Sequence, residues 1–481
     1  MEITSDIRAF IKDYVQNLHQ STVSVFIGAG ASKGAGYVSW KELLKDIADD
    51  LQLIIDKEDD LISIAQYHVN EFNRNKINET IVGEFTRNTQ ETENHRILTR
   101  LPIQTIWTTN YDKIIEDTYR KYRKNPDIKI TTESIPTNLP NRDVIVYKIH
   151  GDVSDVNSAI ITKDDYDMFD STRGLFVEAL KGELATKTFM FIGYSFNDPN
   201  LSYIISKLTF LLGNSKRTHY CFFKKLSLDD FDGDEEALRY NSIKQELKIK
   251  DLKRYGIRTI QIENHSDITE ILRILERQYK AKNIFVSGSA NEYGPYTEHM
   301  AMLFASNLSK ELIKIEKNIV TGFGLGIGSC IISGALEAIY TLENGRIDDR
   351  LKLRPFPQNI IDENRRKELF TRYRQDMLSN TGISIFMFGN KLNPSSGTIV
   401  FADGMMEEFE ISIKNGSIPI PIGAFGYMSK ELWKIVMNDF DKYVPLTELK
   451  QYYEIIGDES KSIEDILKAV IRIVQLLGAI K

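Results

Sequence analysis

Four stretches in the first half of the chain, "TVSVFIGAGAS", "IQTIWTTN", "DVIVYKIHGD" and "KTFMFIGYSFNDPN", repeat one pattern. An apolar run ends in a glycine or polar tip, and three of the four lead straight into helical periodicity. Near-continuous apolar strands are buried on both faces, and a sheet reaches that state when helices cover both sides. "HYCFFKKL" and "IRTIQIEN" add two further strands, and "DITEILRILERQYKAK" closes the series as a helix. The pattern then restarts at "NIFVSGSA", runs through "NIVTGFGLGIGSCIISGALEAIY" and "GISIFMFGN", and ends on "GSIPIPIGAFG". The expected architecture is α/β: two doubly wound domains, residues 1–280 and 281–481. At 481 residues the chain exceeds what one core organises. No residue-level repeat relates the halves.

The totals exclude several classes. No apolar run is long enough to cross a bilayer, and "MEITSDIRAFIKDY" is acidic and amphipathic, unlike a secretory signal. A cytoplasmic protein is expected. A net charge of −7 weighs against a general nucleic-acid binder. Cys221 and Cys330 are too few for a zinc quartet and are read as reduced core thiols, so no metal is expected.

In an open α/β sheet, ligands bind beyond the carboxyl ends of the strands. The tips there are Gly28-Ala29-Gly30-Ala31-Ser32, Asn110-Tyr111-Asp112, His150-Gly151-Asp152 and Gly193-Tyr194-Ser195. Glycines let backbone N–H groups approach phosphate oxygens beside a helix N-terminus. "GAGAS" alone is a weak signal, because Lys33 stands where a strict dinucleotide fingerprint has its third glycine. His150 ends an apolar strand beside a glycine, and imidazole is the side chain suited to proton transfer near neutrality. Alone it reads as a structural histidine; with Asn110 and two glycine loops at equivalent places it reads as functional.

In that order and spacing, "GAGAS", "TTNYD", "KIHGD" and "GYSFNDPN" resemble the NAD-binding core of the sirtuins, over most of residues 20–260. The resemblance implies a Rossmann-like fold in which Gly28, Ala29, Gly30 and Ser32 hold the dinucleotide. It also implies that Asn110 and Asp112 contact the nicotinamide ribose, that His150 is the general base, and that Gly193 and Ser195 face the adenosine ribose and phosphates. Two departures matter. Thr109 stands where deacylating sirtuins carry glutamine, and the four-cysteine zinc module of those enzymes is absent. The expectation moves from deacylation to cleavage of NAD+ by water, with Asn110 and His150 catalytic.

In the second half, "FVSGSA" and "TGFGLGIG" are glycine- and serine-rich turns at strand ends, suited to phosphates or merely to close packing. Arg372 and Arg374 fall on one helix, Lys391 follows a strand, and "GMMEEFEIS" offers Glu407 and Glu408. Arginine and lysine suit phosphates, and a carboxylate suits ribose hydroxyls. The "GFGLGIG" loop and "GMMEEF" helix resemble the SLOG domains, Rossmann-like nucleotide sensors, over about residues 283–430. By that resemblance Arg374, Lys391 and Glu408 bind a signal nucleotide in a pocket lined by Ser287, Gly288, Gly322, Phe323 and Gly324. The Met405–Met406 pair is expected to pack.

The joint order resembles the NAD-depleting effectors of the Thoeris anti-phage systems. It implies an NAD+ hydrolase activated by a cyclic ADP-ribose isomer from a partner TIR-domain protein, assembled as a homotetramer. Two readings of other classes stand beside it: a nucleotide-regulated protein deacylase, and a nucleotide-binding scaffold without catalysis. DNA binding through the second domain is a further reading, weakened by the acidic balance.

Overall fold

The computed structural model describes residues 3–342, 347–357, 360–393 and 396–478. They fall into two compact units, Met1–Glu276 and Arg277–Lys481.

The first unit is built on seven parallel strands: β1 (Val23–Ile27), β2 (Thr105–Thr108), β3 (Pro126–Lys129), β4 (Val144–Lys148), β5 (Thr188–Ile192), β6 (His219–Lys224) and β7 (Ile257–Ile262). Their order is β3-β4-β2-β1-β5-β6-β7. β1 and β5 are buried at every position, as their unbroken apolar runs require. The chain leaves β1 toward β2 and returns on its other side as β5, so the topological switch point falls between them.

Within this frame the glycine stretch differs from the strand-and-turn reading. A short helix, Ala29–Lys33, begins inside it, with Gly28 as its N-cap. "SWKELLKDIADDLQLI" is also not one helix. It breaks at Leu44 into Trp40–Leu43 and Lys45–Asp50, and the break lets the adjacent Leu43 and Leu44 both enter the core. β3 had no clear signal, because it is a four-residue edge strand opening on proline.

The second unit has a five-stranded parallel sheet. Its strands are β8 (Asn283–Ser289), β9 (Asn318–Thr321), β10 (Leu351–Leu353) and β11 (Ile383–Phe388), followed after the two-stranded hairpin β12 (Asn390–Leu392) and β13 (Ile399–Phe401) by β14 (Ile418–Pro421). The order β10-β9-β8-β11-β14 again reverses at the first strand, between β8 and β11. One apolar core runs through this unit, with Met405 buried in it and Met406 packed against it. Among the described residues, no helix is long and apolar enough to cross a membrane.

Candidate active site

Close packing at the β1/β5 switch point is enforced by glycine. A Cβ on Gly28 would fall 2.5 Å from the Gly193 carbonyl oxygen, and one on Gly193 (φ +64°) would fall 2.2 Å from the Ala31 nitrogen. The N–H groups of Gly28 and Gly30 donate to the carbonyls of Ile192 and Gly193, each at 2.9 Å. Those two amides are therefore committed to joining the loops. Gly28 is buried, whereas Ala29 and Gly30 are exposed at the rim.

A cavity of about 370 Å³ opens beyond these strand ends. Ala29, Gly30, Ser32, Asn110, Asp112, His150, Gly193 and Ser195 all line it, as does Thr109. Its apolar walls include Tyr37, Val38, Trp40, Leu43 and Ile62.

Asn110 and Asp112 are fixed at the end of β2. Asn110 Nδ2 donates to the Gly28 carbonyl at 3.2 Å and to Ser32 Oγ at 3.0 Å. Ser32 Oγ in turn donates to Asp112 Oδ2 at 2.9 Å, while Asp112 Oδ1 accepts the Ile114 N–H at 3.1 Å, at the first residue of the helix Ile114–Lys121. With both amide hydrogens engaged, Asn110 Oδ1 is buried without a protein partner. A buried acceptor left unpaired by the protein, in the cavity lining, is open to a hydrogen from a bound molecule.

Behind these residues Lys148 is wholly buried at the end of β4. Its Nζ contacts the Asp112 carbonyl, the Asp152 carboxylate and, at 3.2 Å, Glu116 Oε1. Burial pushes the Lys148 ammonium down, but the surrounding carboxylates outweigh it and hold the group above its ordinary value. One ammonium thus ties the Asn110-Tyr111-Asp112 tip of β2 to the His150-Gly151-Asp152 tip of β4.

His150 is buried, its ring edge-on to Tyr166 and Phe169 at centroid distances of 5.6 and 6.0 Å. Its Nε2 lies 2.9 Å from Asp198 Oδ2. Asp198 was not singled out from the sequence. The signal available was "NDPN", an aspartate before proline at a helix start, and it does cap the helix Pro199–Leu212 through the Leu201 N–H at 2.9 Å. Ser195 is exposed, and its carbonyl accepts from Lys248 Nζ at 2.7 Å, as does Asn197 Oδ1. A second cavity, of about 950 Å³, shares Gly30, Gly193, Tyr194, Ser195 and Asn197 with the first and extends to Lys244, Lys248 and His265.

In the second unit, Ser287, Gly288, Gly324, Arg374 and Glu408 assemble about the end of β8. A Cβ on Gly324 would fall 1.7 Å from the Gly288 carbonyl oxygen, so only glycine allows the β9 loop to cross there. Ser287 Oγ donates to Glu408 Oε2 at 2.6 Å. Arg374 reaches Glu407 Oε2 at 2.5 Å and Glu408 Oε1 at 3.5 Å, and its guanidinium carbon lies 4.9 Å from the Phe356 ring centroid. Burial pushes the Glu408 carboxyl up, against the lowering by Ser287 and Arg374. Gly322 packs under Phe356, while Phe323 takes φ +58° and is half exposed. Lys391 is exposed and pairs with Asp403 at 3.2 Å. Asp403 lies one turn before Glu407 on the helix Asp403–Lys414, so Lys391 and Arg374 engage successive turns of one helix. Among the described residues, no group of three or more His, Cys, Asp or Glu side chains is arranged to hold a metal.

The two switch-point sites define the class: a SIR2-like domain followed by a SLOG domain. The SIR2-like domain family matches residues 104–260, and the Sir2- and TIR-associating SLOG family matches residues 267–477. Over 99% of its length the chain is 43% identical to the NAD(+) hydrolase ThsA of Cytobacillus dafuensis, covering 98% of that protein. It is likewise 43% identical to NAD(+) hydrolase ThsA of Bacillus cereus, with 99% and 100% of the two chains covered, and 42% identical to that of Acinetobacter baumannii, with 98% and 99% covered. The chain belongs to the ThsA family.

Proposed function

We propose that the protein hydrolyses NAD+ to nicotinamide and ADP-ribose at the Asn110–His150 cleft. The observation that carries this reading is the unpartnered, buried Oδ1 of Asn110 in a cavity that also presents His150. Breaking the nicotinamide–ribose bond builds oxocarbenium-like charge at C1′. An amide oxygen fixed by two hydrogen bonds on its nitrogen can hold a water, or a ribose hydroxyl, against that carbon without a change in its own protonation. The water oxygen bonds to C1′ as the C1′–N bond breaks, and the bonding pair leaves with neutral nicotinamide. His150 takes the water's proton, directly or through a ribose hydroxyl, and passes it to solvent. The adenosine side of the dinucleotide would extend past Gly193 and Ser195 into the second cavity, where Lys244 and Lys248 offer positive charge.

The second half of the proposal is regulation. A cyclic ADP-ribose isomer, made by a partner TIR-domain protein during phage infection, would bind among Ser287, Gly288, Gly322, Phe323, Gly324, Arg374, Lys391 and Glu408. Guanidinium and ammonium suit its phosphates, and Glu408 suits a ribose hydroxyl. The resulting allosteric activation depletes NAD+ in the cytoplasm and aborts the infection, as expected of a Thoeris effector acting as a homotetramer. By linkage, the signal activates only as far as it binds the active arrangement better than the resting one. The test is NAD+ consumption by the purified chain, with and without a panel of cyclic ADP-ribose isomers, in wild type and Asn110→Ala. Isomer-dependent loss of NAD+ in the wild type alone is expected. A folded Asn110→Ala protein that consumes NAD+ at the wild-type rate refutes the site. Turnover only with an acetyl-lysine peptide would favour a deacylase.

A further inference from the structure

His150 does not face the cavity alone. Asp198 joins the lining from the opposite side of the switch point, on the turn after β5, and reaches His150 Nε2 at 2.9 Å. The carboxylate is itself held: Oδ1 accepts the Leu201 N–H at 2.9 Å at the start of the helix Pro199–Leu212, which leaves Oδ2 toward the imidazole. The other ionisable groups around this pair are phenols. Tyr166 OH lies 3.5 Å from Asp198 Oδ2, with Tyr111 and Tyr194 nearby. Burial pushes the Asp198 carboxyl up, but the neighbouring His150, whose Nε2 is within ion-pair distance, and the backbone N–H groups outweigh it and keep the group below its ordinary value.

We propose that Asp198 is a positioning residue for NAD+ hydrolysis: it holds the His150 imidazole in one tautomer and orientation and stabilises the imidazolium formed when His150 accepts a proton. An imidazole with one nitrogen against a carboxylate carries its hydrogen there and leaves the other nitrogen as the acceptor. The arrangement makes the base of this site a His–Asp pair assembled across the switch point, with β4 delivering the histidine and the β5 turn the carboxylate. The proposal rests on the reading of His150 as the base.

Asp198→Asn is the informative variant, because asparagine caps a helix as well as aspartate and preserves the side chain's shape while removing its charge. The full chain is assayed for NAD+ hydrolysis under conditions in which the wild type turns over, with the activating cyclic ADP-ribose isomer present if one is required. kcat is expected to fall on the order of 100-fold or more, with KM changed by less than about threefold and the melting temperature retained. The acid limb of kcat should move to lower pH, because the carboxylate that favoured the imidazolium is gone. Asp198→Glu should recover part of the rate. Wild-type kcat in Asp198→Asn overturns the proposal, and so does a loss of kcat with the acid limb unmoved, which would mark a merely structural role. His150→Ala, run in parallel, separates the two layers. If it hydrolyses NAD+ at the wild-type rate, the reading of the site fails; if it is inactive while Asp198→Asn is fully active, only the role of Asp198 fails.

Discussion

Asn110 Nδ2 donates to Ser32 Oγ at 3.0 Å, and Ser32 passes its own hydrogen to Asp112. The direction of that relay settles the orientation of the amide. Ser32 Oγ spends its hydrogen on a carboxylate, so it can only accept from Asn110, and the amide oxygen must turn toward the cavity. Ser32→Ala removes the constraint and leaves the Asp112 carboxylate one donor short. The expected result is a drop in kcat of about 10-fold, from misorientation of Asn110, with a loss of about 1–3 kcal/mol in stability for the unsatisfied carboxylate. Steady-state kinetics and urea unfolding check both. Unchanged kcat would show that the orientation of the amide is set elsewhere.

Lys148 predicts a different pattern, in which stability suffers before chemistry. It faces the buried Glu116 and Asp152 and contacts the Asp112 carbonyl. Lys148→Met leaves buried carboxylates uncompensated and is expected to cost about 3–5 kcal/mol. Adding Asp152→Asn should recover part of that loss, since the two residues contact one another and their effects are not additive. Equal and additive losses by denaturant titration would mean the ammonium and Asp152 act independently.

In the SLOG unit the Ser287–Glu408–Arg374 cluster joins β8 to two helices, and its function is tested by response rather than by turnover. Arg374→Ala should raise the concentration of cyclic ADP-ribose isomer giving half-maximal activation by about 10- to 100-fold, the worth of one charged hydrogen bond. Basal NAD+ consumption should be unaffected. Gly404→Ala should imitate it more weakly, because a Cβ there would fall 2.4 Å from Arg374 Nη2. Activation of Arg374→Ala at the wild-type concentration would remove the guanidinium from the sensor.

The strand tips were legible because their signal is local. An apolar run buried on both faces must be continuous, and the residue that ends it stands out. Asn110, His150, Gly193 and the SLOG glycines were found that way. Asp198 and Lys148 were not. One reads as an ordinary helix cap and the other as a polar interruption at the end of an apolar strand; Asp198 gains its meaning from His150, 48 positions away, and Lys148 ties β4 to the β2 tip through Asp112, 36 positions away. The commitment of the Gly28 and Gly30 amides to the β5 loop was hidden for the same reason, since sequence gives the glycine but not the carbonyl it meets. β3, β10 and the β12–β13 hairpin escaped because three or four residues carry too little periodicity to be distinguished from loop.

His219 sets a pH dependence of stability that is separate from the active site. It is buried in β6, and its Nδ1 accepts the Phe189 N–H at 3.1 Å, so the folded chain needs that nitrogen unprotonated. Burial, assisted by the charge of Arg217, lowers its pKa to about 4, against about 6.5 for an unperturbed imidazole. As pH falls below about 6.5 the unfolded chain takes up the proton first, so the stability present above that value is lost progressively down to about pH 4. The span is worth about 3 kcal/mol. His95, also buried, is shifted in the same direction, so some slope will persist without His219. His219→Asn keeps an acceptor for the Phe189 N–H and removes the titration. Urea unfolding of the variant between pH 6.5 and 4.5 should therefore give a shallower loss of stability than the wild type. Parallel curves for the two proteins would place the acid sensitivity in other groups.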